Sequence, residues 1–63
     1  MSALTNEELQ ELKSEIKRIE ESLKKINVFA TTKNLLMIKR NTEHMLAIIN
    51  YIKLSLGIDL EEG

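Results

Sequence analysis

The sequence predicts an all-α protein: an antiparallel helical hairpin, with helices over about residues 6–26 and about residues 32–56, that dimerises into a four-helix bundle. Three features of the chain lead there. Leu9, Leu12, Ile16, Ile19, Leu23 and Ile26 recur at alternating steps of three and four, and this beat near 3.5 residues lines branched side chains along one narrow stripe of a helix. Leu35, Ile38, Thr42, Met45, Ile49, Ile52 and Leu56 form a second stripe, set about half a turn out of phase with the first. Beside that second stripe stand Leu36, Met37, Leu46, Ile48 and Leu54, more apolar surface than one helix–helix seam covers.

The first helix carries a full set of start signals. Thr5 is placed to cap the free backbone amides, and Glu8, three residues on, to return a carboxylate to the Thr5 amide, the reciprocal pair of a capping box. Leu4 and Leu9 take the positions of a hydrophobic staple. Glu7 and Glu8 fall in the first turn, where the helix dipole favours acids, and Lys24 and Lys25 in the expected last turn, where it favours bases. Glu20–Lys24 and Glu21–Lys25 have the i,i+4 spacing of helix ion pairs, each contributing roughly 0.2–0.5 kcal/mol.

The stretch Asn27-Val28-Phe29-Ala30-Thr31-Thr32 contains neither Gly nor Pro, so one continuous helix of roughly 50 residues is the alternative to a hairpin. Phase argues against it. Extending the first stripe places Lys33 and Arg40 at core positions, and the offset exceeds what a three- or four-residue insertion in a coiled coil absorbs. A turn is expected instead, with Asn27 left-handed at the helix end and Thr31 or Thr32 capping the second helix. Phe29 then plugs the open end of the core, and Met37 and Met45 serve as core filler.

The second helix is expected to end at Gly57, a C′ residue, with Ile58 folding back as in a Schellman ending. Asp59 to Gly63 forms a short acidic tail, expected to fray. At 1.5 Å per residue the two helices come to roughly 31 Å and 37 Å, matched lengths that suit an αα-hairpin. Residues 1–63 make one domain.

A chain this small buries only about 60% of the surface it exposes unfolded and needs a further source of stability. It has no cysteine, which excludes disulfides and cysteine-based metal sites. Its one histidine lacks the Glu-x-x-His spacing of a di-metal bundle. Association remains, and a homodimer is expected with helix 2 central and Leu35, Ile38, Thr42, Met45, Ile48, Ile49, Ile52 and Leu56 at its interface. Thr42 is the polar member of that set; its hydroxyl is expected to bond the Ile38 carbonyl, with a register role as the alternative. Charge selects the orientation. Residues 1–15 hold four acids and one base, residues 16–43 seven bases and three acids, and residues 44–63 one base and three acids. The turn end of the hairpin is thus basic and the other end acidic, so antiparallel hairpins set opposite charges side by side, selecting orientation more than affinity.

Composition excludes several function classes. The formal charge is −1, with no strongly basic balance to mark a nucleic-acid binder. Met1-Ser2-Ala3-Leu4 is too short, and too polar downstream, for a signal peptide. The longest apolar-rich run, Met45 to Leu56, spans 12 residues and includes Asn50 and Lys53, against the roughly 20 of a membrane span. A soluble, cytoplasmic protein is expected, with no membrane partner, cofactor, metal or small-molecule substrate.

Two candidate sites remain. Lys17, Arg18, Lys24, Lys25, Lys33, Lys39 and Arg40 cluster towards the turn and offer contacts to phosphate, with Asn34 and Asn41 nearby. Glu20, Glu21 and Glu43 interrupt them, and only Phe29 and Tyr51 are aromatic, so base stacking is poorly served. A solvated face is the plainer reading. His44 beside Glu43 suggests acid–base chemistry, but adjacent helix positions point about 100° apart and no nucleophile accompanies them; His44 is expected at the edge of the helix 2 interface, and the protein is not expected to be an enzyme.

In size and inferred architecture the chain resembles the plasmid Rop class of small hairpin dimers, which bind RNA. The resemblance is one of shape and no residue motif carries it. Two functions follow as expectations. One is a non-enzymatic homodimeric bundle acting as an adaptor or scaffold for another protein. The alternative is a small RNA- or DNA-binding regulator, of plasmid or viral origin, that uses the basic turn end.

Overall fold

The computed structural model describes residues 4–62. They form two helices of equal length, α1 (Asn6–Thr32) and α2 (Leu36–Glu62), packed against each other as a hairpin about 46 Å long. At 27 residues each the helices are longer than the sequence predicts, by one turn or more at the end of α1 and again at the end of α2.

The start of α1 is as expected. The Thr5 side chain accepts from the Glu8 amide at 3.1 Å, and the Glu8 carboxylate accepts from the Thr5 amide at 2.9 Å, which satisfies two of the orphan donors of the first turn.

The end of α1 corrects the expected boundary. Asn27, Thr31 and Thr32 are all helical, and the left-handed residue is Asn34, with φ 58°. Around it the chain closes a Schellman motif: the Leu35 amide donates to the Ala30 carbonyl at 2.8 Å and the Asn34 amide to the Thr31 carbonyl at 3.5 Å. The turn is short because α2 begins at once, with the Lys39 amide donating to the Leu35 carbonyl at 2.9 Å. Lys24 and Lys25 therefore stand two turns before the helix end, not in the last turn. Ion pairing departs from expectation too: Glu20 bonds Lys53 of α2 rather than Lys24.

Gly57 also behaves otherwise than predicted. It lies inside α2, which continues through Glu62, so it does not form a left-handed stop. Leu60, beyond it, is half-buried, and covering that side chain gives the last turns a reason to stay helical.

Ile16, Leu23 and Ile49 form the centre of the seam, with Leu46 and Leu56 packed against them. Ala30 closes it near the turn at 1% exposure, where its small side chain allows the Schellman turn to fold over the helix end. Two polar pairs join the helices: Glu20 with Lys53 at the exposed edge of the seam, and Asn27 with Thr42 within it.

Candidate interaction surfaces

The apolar stripe of α1 divides in two. Ile16 and Leu23 turn inward, while Leu12, Ile19 and Ile26, four residues before Ile16, Leu23 and Ala30, remain in part exposed. On α2, Ile38, Met45 and Ile52 stand in the same relation to Thr42, Ile49 and Leu56. The twofold relating two antiparallel helices runs perpendicular to their common plane, so equivalent rows emerge on the same face of the hairpin. That face therefore carries two parallel ladders at seven-residue spacing, six side chains each between 38% and 49% exposed. The opposite face, one residue further round each helix, carries Gln10, Lys17, Lys24 and Thr31 with Leu36, Glu43, Asn50 and Gly57. One face is a hydrophobic band; the other is mostly polar.

The residues predicted for a dimer interface are distributed accordingly. Ile38, Met45 and Ile52 lie on the apolar band, and Leu35, at 44% exposure, precedes them at the turn. Thr42 and Ile49 are already buried within one chain and Leu56 is half-buried, so these three give surface to the intrachain seam. Ile48 is exposed further round α2. Met37 and Met45 are not filler inside the hairpin, being 67% and 49% exposed. Sequence reasoning missed Leu12, Ile19 and Ile26 as members of an outward face, because a single 3.5-residue beat reads as one seam and the inward row recurs every seven residues just as strictly.

The hairpin as a whole exposes more than its mass requires. Its accessible surface is 5318 Å2 for 7.3 kDa, against about 4,200 Å2 for a compact monomer of that size.

No protein-family model matches this chain, and no curated protein or solved structure matches it either. Among the described residues no helix is long and apolar enough to cross a membrane, and no group of three His, Asp or Glu side chains is placed to hold a metal ion.

The basic cluster is separated by the fold. Arg18 faces Glu15 at 3.6 Å and Lys39 faces Glu43 at 3.7 Å. Lys17 lies on the polar face of α1, and Arg40 with Leu36, Lys39 and Glu43 lines a small hollow on α2. Lys24, Lys25 and Lys33 do come together, around Val28, Phe29 and Thr32, where they enclose a shallow hollow of about 400 Å3 on the outer side of α1. Phe29 is no plug: with α1 continuing past it, the ring points to solvent and is 69% exposed.

His44 is exposed on the side of α2 remote from α1, and its neighbour Glu43 is turned to Lys39. His44 and Glu43 thus have separate surroundings.

Proposed function

We propose that the protein is a non-enzymatic homodimer, a four-helix bundle of two hairpins, that serves as a small adaptor or scaffold for another protein. The observation that carries this is the double ladder: Leu12, Ile19 and Ile26 beside Ile38, Met45 and Ile52, aligned on one face of the hairpin. Heptad-spaced apolar rows on two adjacent helices are what a second such pair needs for knobs-into-holes packing. The surplus surface of about 1,100 Å2 compares with the roughly 800 Å2 that each partner contributes to a standard interface. Charge supports an antiparallel arrangement, since the turn end holds Lys24, Lys25 and Lys33 while Glu7, Glu8, Glu11 and Asp59 lie at the other. The nucleic-acid reading draws less support, because Arg18 and Lys39 are engaged by neighbouring acids.

Charged substitutions on the band test the assembly. Ile19→Glu and Met45→Glu each place a carboxylate that the hairpin alone leaves half in water but a closed bundle would bury unpaired. Light scattering should report loss of the dimer for both, with Asn50→Glu on the opposite face assembling as the parent does. Dimers of unchanged mass in the Ile19→Glu and Met45→Glu variants would remove the proposed interface.

A further inference from the structure

The hollow beside the turn joins two features seldom found together on a solvated helix face. Val28 and Phe29, at 64% and 69% exposure, form an apolar floor, and its walls are almost entirely carbon, supplied by the stems of Lys24, Lys25 and Lys33 with Thr32. Three lysines and no acid line the hollow. Lys25 and Lys33 have no ion-pair partner among the described residues, and Lys24 only a long-range attraction to Glu20.

We propose that this hollow is a docking site for an acidic segment of a partner protein that inserts one large apolar or aromatic side chain. The inference rests on reading the chain as an adaptor and names the chemistry of what it adapts. An apolar anchor on Val28 and Phe29 is desolvated within the hollow, while flanking carboxylates meet the lysines at its rim, the arrangement of an interface core with a polar rim. A nucleic-acid strand fits less well. A single exposed ring offers no platform for successive bases. The hollow borders the apolar band at Lys33, which continues the row of Leu12, Ile19 and Ile26, while Lys24, Lys25, Val28 and Thr32 lie further round α1. An antiparallel dimer presents two such sites, one at each end, which suits a scaffold that engages a bivalent partner with enhanced avidity.

Fluorescence anisotropy with synthetic peptides tests this on the full chain. The probe is a fluorescein-labelled peptide with a central Trp flanked on both sides by glutamates. Its controls carry lysines for the glutamates or Ser for the Trp, and a labelled single-stranded RNA of similar length is the competing ligand class. The acidic Trp peptide should bind saturably and more weakly as salt rises. Phe29→Ala, and Lys25→Ala combined with Lys33→Ala, should each weaken it at least about tenfold without changing molar mass or helical circular dichroism. Absence of binding, equal binding of the Ser or lysine controls, or indifference to Phe29→Ala overturns the proposal. So does RNA binding tighter than the peptide. Molar mass measured on the same samples separates the two readings: a monomer that binds the peptide loses the dimer but keeps the site, and a dimer that binds nothing does the reverse.

Discussion

The side-chain amide of Asn27 donates to the hydroxyl of Thr42 across 3.0 Å, joining the two helices through their seam. Thr42, at 4% exposure, is the polar residue buried in the core, and its hydroxyl bonds the Ile38 carbonyl at 2.9 Å, with the Lys39 carbonyl equally near. The same Asn27 nitrogen lies 3.4 Å from the Lys39 carbonyl. The bond expected from Thr42 to the Ile38 carbonyl is present, and the hydroxyl also accepts from the other helix. A slip of one heptad would set Asn27 against Ile49, leaving the amide without an acceptor, so this pair penalises the wrong register.

The pair should show coupling. Asn27→Ala and Thr42→Val each remove one partner and should each lower stability by about 1 kcal/mol in urea unfolding. The double variant should lose less than the sum, with an interaction energy of about 0.5–1.5 kcal/mol. Strict additivity would mean that the bond is absent in solution.

Acid should weaken the hairpin partly through Glu20. Its carboxyl is held below the ordinary value of 4.5, first by the hydrogen bond from Lys53 and then by the charges of Lys53 and Lys24, with partial burial opposing them. A carboxyl whose folded pKa is depressed contributes stability that is complete above the unfolded value and lost as pH falls through the folded one. Thermal melting of the parent chain should therefore approach that of Glu20→Gln as pH drops below about 4.5. A gap between the two that stays constant down to about pH 3 would mean that Glu20 gains nothing from Lys53.

Two substitutions read out the helix ends. Gly57 is helical, and a Cβ added there meets nothing within 4 Å, so Gly57→Ala should stabilise the protein by about 0.5–1 kcal/mol. Asn34→Ala should destabilise it by up to about 1 kcal/mol, because alanine lacks the short polar side chain whose local hydrogen bonding eases the left-handed region for asparagine. Loss of stability on Gly57→Ala would return the helix stop to that residue.

The same positions explain how far the sequence could be read. The capping box at Thr5 and Glu8 and the Thr42-to-Ile38 bond are local, involving partners three or four residues apart, and both were legible. The turn was not. Asn27 and Asn34 stand one heptad apart and have equal local claim to the left-handed position; what decides between them is Thr42, which gives Asn27 a partner only if α1 continues past it. Gly57 likewise reads as a stop unless the cover gained by Leu60 is counted. Phe29 is a plug only if the turn passes through it, and the hollow it shares with three lysines exists only on a helix that runs to Thr32. The division of the first stripe into an inward and an outward row depends on where α2 lies, which no periodicity within α1 contains.

Sedimentation equilibrium of the unmodified chain at micromolar concentration tests the proposed dimer without any substitution. A species of twice 7.3 kDa is the predicted result. A stably helical monomer of 7.3 kDa, with its two ladders left in water, would contradict it.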